Sequence, residues 1–109
     1  MFTKEGIIKI NTRFESGNVI NQSSLDFALS SIKDKSWMDQ VAYLVRAILI
    51  DHVFEDGNKR TAAAIIIAYY TEFEIGFDPQ KIVNLIVDII LKNITDLNKV
   101  KRMIKNAVR

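Results

Sequence analysis

The chain contains no cysteine. That excludes disulfides and thiolate metal centres and fits a reducing cytosol. One proline and four glycines leave little punctuation, and no pair of alternating strands stands out. No apolar run reaches the roughly 20 residues needed to span a bilayer. No basic-then-apolar leader opens the sequence. A cytoplasmic protein with no membrane partner is the expectation. The net charge of +2 is too small to imply nucleic acid by itself. No helix joins a glycine turn to a basic recognition face, so no DNA partner is expected.

What remains is helical spacing. A length of 109 residues suits one domain, residues 1–109, and 49% hydrophobic content can fill a single core. The pattern predicts an all-α, compact bundle of about six helices. The first runs from Thr3 to Phe14, followed by a loop from Glu15 to Gln22. The second, Ser23 to Ile32, turns Leu25, Phe27, Ala28 and Leu29 inward. The third is capped by Ser36, with Asp39 three residues on, and ends near His52. The fourth spans Asn58 to Phe73. Ala62 to Ala68 is apolar on every face, which predicts a central, buried helix. Gly76 breaks the chain, and Asp78-Pro79 reads as N-cap and first position of the fifth helix. The sixth follows Thr95 and carries Leu97, Val100, Ile104 and Val108. Its other face is basic through Lys99, Lys101, Arg102, Lys105 and Arg109, most simply a solvated face. Trp37, Tyr69 and Tyr70 read as packing residues.

One run stands apart: Asp51-His52-Val53-Phe54-Glu55-Asp56-Gly57-Asn58-Lys59-Arg60-Thr61-Ala62. It holds the only histidine, and apolar helices flank it. Histidine is the residue type best suited to general-base work near neutral pH, which makes His52 the candidate base. Gly57, Asn58, Lys59 and Arg60 fall where the fourth helix opens. A helix N-terminus presents unpaired N–H groups and partial positive charge, so it receives anions. Glycine allows close backbone approach. Asn58 can cap the helix or hold a ligand oxygen, and arginine grips phosphate bidentately. Mg²⁺ is held by one or two carboxylates plus substrate phosphates, which points to Asp56 as the metal ligand before Glu55. Phe54, apolar in a polar loop, plugs the loop into the core. Singly, each residue also has a plain structural use: a histidine at a helix end complements the dipole, and Asp and Asn cap helices. Their order together points to function.

The run His52-Val53-Phe54-Glu55-Asp56-Gly57-Asn58-Lys59-Arg60-Thr61-Ala62-Ala63 resembles the signature of the Fic/Doc superfamily, whose Fic branch reads His-Pro-Phe-x-Asp-Gly-Asn-Gly-Arg-x-x-Arg. The order of helices around it is similar as well. The length and the Asn58–Ala62 segment look most like the death-on-curing (Doc) toxin branch. The resemblance implies that His52 activates a hydroxyl on a target protein. Asp56 would hold Mg²⁺, Gly57, Asn58 and adjoining backbone would form an anion hole, Arg60 would contact phosphate, and Phe54 would anchor the loop. ATP or another nucleoside triphosphate would be the co-substrate. Fic-type enzymes move AMP to a hydroxyl; Doc-type enzymes move the terminal phosphate.

Three positions depart from the Fic pattern. Val53 replaces proline. Lys59 replaces a glycine, which crowds the usual nucleotide pose and adds a phosphate contact. Ala63 replaces the second arginine. The last two favour phosphorylation, while Gly57 points mildly the other way. AMP transfer and a non-catalytic nucleotide- or partner-binding module remain alternatives. No Ser/Thr-x-x-x-Glu-Gly/Asn inhibitory pattern occurs, so the resemblance implies control by a separate antitoxin. The Glu15–Gln22 loop lies where related proteins carry a flap that pairs with an extended target segment.

Overall fold

Thr3 turns its hydroxyl onto the N–H of Gly6 and starts the first helix, α1 (Lys4–Asn11). The computed structural model describes residues 2–109. Five more helices follow: α2 (Gln22–Ser31), α3 (Trp37–Ile50), α4 (Asn58–Glu72), α5 (Pro79–Leu91) and α6 (Leu97–Lys105). Side-chain caps begin most of them, two at the positions the sequence predicts. Ser36 Oγ accepts from the N–H of Asp39, and Asp78 caps α5 with Pro79 at its first position. Asp96 caps α6 by accepting from the N–H groups of Asn98 and Lys99. Extended pairing is confined, among the described residues, to two isolated antiparallel bridges, Val19 with Phe54 and Phe77 with Val108. The second ties the chain end back to the α4–α5 connection, where the N–H of Asp78 reaches the carbonyl of Ala107.

The centre of the bundle is α3. It packs on α2, α4, α5 and α6, and it buries Val41, Ala42, Leu44, Val45, Ala47, Ile48 and Leu49. The apolar stretch of α4 is less enclosed than expected: Ala63, Ala64, Ile67 and Ala68 are half-buried. Alanine side chains are too short to fill the space beside α1, so an open groove runs past Arg13, Ala64, Ile67 and Thr71. Phe27 also departs from expectation, at 61% exposed. Leu25 and Ala28 set the inward stripe of α2, and a residue two positions from Leu25 lies on the opposite side.

Trp37, Tyr69 and Tyr70 pack, as expected. Trp37 stacks on Phe73 with ring centroids 4.9 Å apart and meets Tyr70 edge-on. The Tyr70 hydroxyl donates to the Ile104 carbonyl, joining α4 to α6. The Tyr69 hydroxyl donates to Gln40 Oε1 at 2.8 Å. Burial pushes both phenols above the usual tyrosine range. On the basic face of α6, Lys101 turns inward to Asp39 of α3 at 2.9 Å, while Lys99, Arg102 and Lys105 stay exposed. The radius of gyration of 12.5 Å is close to the ~13 Å expected of one domain this long. No helix among the described residues is long and apolar enough to cross a membrane.

Candidate functional site

The site begins where α3 stops. Asp51 closes the helix, and His52 follows with φ +51°, in the left-handed region. This reverses the chain and leaves the imidazole exposed. Val53 and Phe54 then turn inward and are fully buried. Phe54 is the plug the sequence predicts. Glu55 and Asp56 come back to the surface. Gly57, at φ +78°, is the N-cap of α4. A Cβ at Gly57 would stand 2.8 Å from Glu15 Cγ and 3.0 Å from Asn11 Nδ2, so both the dihedral and the space demand glycine.

Two fastenings hold this loop. The first is Asn58, whose amide closes a ring on one residue: its Nδ2 donates to the Phe54 carbonyl at 2.9 Å, and its Oδ1 accepts from the Phe54 N–H at 3.0 Å. The side chain expected to cap α4 or hold a ligand oxygen is therefore committed to the loop itself. What Asn58 offers an anion is its backbone N–H. The second fastening is the segment at residues 17–21. The N–H of Ile20 reaches the Val53 carbonyl at 2.8 Å, and the N–H of Glu55 reaches the Asn18 carbonyl at 3.0 Å. Asn18 Nδ2 donates to Glu55 Oε2 and Asn21 Nδ2 to the Asp51 carbonyl, both at 2.9 Å. The Glu15–Gln22 loop is thus a clamp on the motif, beyond a plain connection.

These fastenings gather the expected residues around one cavity of about 400 Å³, lined by Glu15, His52, Asp56, Gly57, Lys59 and Arg60 among others. Thr61 is the first residue of α4 whose N–H finds a backbone partner, the Gly57 carbonyl at 2.9 Å. The N–H groups of Asn58, Lys59 and Arg60 precede it, in the turn where a helix has no acceptor of its own. Lys59 and Arg60 are exposed, and neither enters an ion pair among the described residues. Cations, unpaired N–H groups and a helix N-terminus border the same cavity as the histidine. Such a cavity can receive a polyphosphate and present a base beside it. A smaller cavity of about 290 Å³ beside Phe2, Ala68, Tyr69 and Glu72 has no comparable set of groups.

For a metal, the donors are few. No cluster of three or more His, Cys, Asp or Glu side chains exists among the described residues. Three exposed carboxylates, Glu15, Glu55 and Asp56, line the cavity, and Glu55 already accepts from Asn18. That donor set fits Mg²⁺ completed by substrate phosphates and water, and does not fit a resident, protein-caged ion.

Sequence reasoning missed Asn11. It is fully buried, and its Nδ2 donates to the Asp56 carbonyl at 2.9 Å and to Thr61 Oγ1 at 3.0 Å, while its Oδ1 accepts from the Gly17 N–H at 2.9 Å. One signal was available. Asn11 stands four residues after Ile7, on the inward face of α1, where an amide needs buried partners. Asn18, Asn21 and Thr61 carried no such mark. No protein-family model matches the chain, and no curated protein matches it.

Proposed function

We propose that the chain is a Fic/Doc-type transferase that moves a phosphate-containing group from a nucleoside triphosphate to a hydroxyl on a target protein, in the Doc-like sense of phosphorylation. One observation carries this reading: His52, Asp56, Lys59, Arg60 and the open first turn of α4 line one cavity of about 400 Å³. Phosphoryl transfer asks a protein mainly for positioning and charge stabilisation, and that wall supplies both.

In this reading the first-turn N–H groups and Arg60 hold the phosphate chain. Lys59 reaches the terminal phosphate. Asp56 would hold Mg²⁺, which when bound would neutralise charge on the phosphate oxygens. The target's hydroxyl oxygen attacks the γ phosphorus while His52 takes the hydroxyl proton. The bond from the γ phosphorus to the bridging oxygen breaks, and a nucleoside diphosphate leaves. Asn21 and Ile20 bond to Asp51 and Val53, the chain neighbours of His52, which suits this segment to guiding an extended target. Nothing in the chain matches the inhibitory pattern, which fits control by a separate antitoxin-like protein.

The test is incubation with Mg²⁺, a cell extract and ATP labelled at either the α or the γ phosphate, beside His52→Ala. Label on protein from the γ position alone, lost in His52→Ala, is the expected result. Label from the α position would replace phosphorylation by AMP transfer and overturn the assignment of Lys59. Nucleotide binding measured by calorimetry, with no transfer of either label, would make the chain a binding module.

A further inference from the structure

The direction of one peptide plane decides whether the cavity has its full set of donors. The Asp56–Gly57 peptide is trans, since no cis bond occurs among the described residues. In a trans peptide the C=O and N–H point opposite ways. The Asp56 carbonyl points at Asn11 Nδ2, 2.9 Å away. The Gly57 N–H therefore points away from Asn11. Among the described residues it donates to no backbone or side-chain group. Gly57 itself lines the cavity.

We infer that Asn11 is a positioning residue that sets this peptide, and so aims the Gly57 N–H as a further donor to the transferring phosphate. The inference rests on the reading of the cavity as a transferase site. Three features make Asn11 suited to the task. It is fully buried, so its amide depends on protein partners for its hydrogen bonds. Both ends of its amide are committed, to Asp56 and Thr61 through Nδ2 and to Gly17 through Oδ1, so the amide cannot turn over without losing its bonds. Its Nδ2 lies where a Cβ on Gly57 would come within 3.0 Å, so amide and glycine are fitted to each other. Asn11 also binds the residue 17 end of the clamp, so the same side chain places the clamp and the anion wall in one frame.

The deciding variant is Asn11→Asp, nearly isosteric but with an acceptor facing the Asp56 carbonyl. In its crystal structure the Asp56–Gly57 peptide should be rotated, with the carbonyl turned from residue 11. A carbonyl that keeps its direction overturns the inference. If Asn11→Asp does not fold, Asn11→Ser, too short to reach the carbonyl, gives the same reading. In the labelled-transfer assay the variant should lose about 100-fold or more in kcat, the usual effect of removing one oxyanion donor, with KM for ATP little changed. Thr61→Val removes another partner of the same amide but leaves the Asp56 contact, and should keep kcat close to that of the unaltered protein. A merely structural role for Asn11 would lower activity in both variants together, and that result also overturns the inference. If the unaltered protein transfers no label, the functional reading fails, while the peptide direction in Asn11→Asp still decides what Asn11 does.

Discussion

At His52 the backbone and the side chain make opposed demands. A residue with φ +51° just past a helix end is the place where glycine is preferred, because a Cβ there costs about 1–2 kcal/mol. The side chain is exposed and returns no packing energy. Asp34, Glu74 and Asn93 adopt the same positive φ near helix ends, so what sets His52 apart is its place on the cavity. His52→Gly should therefore abolish label transfer and raise stability by roughly 1 kcal/mol in urea unfolding. A variant both inactive and clearly less stable would show that the imidazole serves the fold. Lys59 is a milder case. It is exposed and outside any ion pair, so Lys59→Ala should leave the unfolding midpoint unchanged while slowing γ-label transfer. Equal transfer by Lys59→Ala would remove it from the phosphate wall.

The helices themselves were largely legible, because caps and apolar spacing are local. Ser36, Asp78 and Pro79 mark their helix starts without reference to the rest of the chain. The central place of α3 was not legible: an all-apolar surface on α4 shows what can be buried, and only packing decides what is. The motif's order pointed to a candidate site, and one cavity gathers His52, Asp56, Gly57, Lys59 and Arg60. What holds them there was hidden, because Asn58, Asn18 and Asn11 act through backbone groups up to 45 residues away, and a carbonyl leaves no trace in a sequence. Two substitutions separate anchoring from catalysis. Phe54→Ala empties a fully buried aromatic site and should cost about 3–5 kcal/mol. Asn58→Ala deletes both bonds to Phe54 and should cost about 1–3 kcal/mol. Circular dichroism of Asn58→Ala should still show a folded helical protein, with transfer reduced as the loop loosens. An Asn58→Ala protein as stable and active as the parent would mean that residues 17–21 alone define the loop.

Across the whole molecule, α3, α4 and α6 are joined by polar contacts whose titration makes stability depend on pH. Lys101 of α6 donates to Asp39 of α3, and Ser36 adds a second hydrogen bond; together they hold the Asp39 carboxyl below its ordinary value of 3.8. A carboxylate with a depressed folded pKa contributes its stability above the unfolded value and loses it as pH falls through the lowered one. Because the Asp39 side chain is 36% exposed, solvent screens the pair and the contribution is small. The alkaline side has the opposite sign. Burial raises the Tyr69 and Tyr70 phenols above their ordinary value of 10.0. The stability from keeping them neutral is complete below that value and is lost as pH rises through the raised one, since the unfolded chain releases its protons first. Urea midpoints should therefore hold level between about pH 5 and 9 and decline on either side. Asp39→Asn should be less stable than the parent at neutral pH, with the gap closing as pH falls below 3.8. Tyr70→Phe loses the bond that joins α4 to the Ile104 carbonyl of α6. It should also be less stable at neutral pH, but the gap should close as pH rises above 10.0. A Tyr70→Phe curve that runs parallel to the parent through that range would place the alkaline limit elsewhere, on Tyr69.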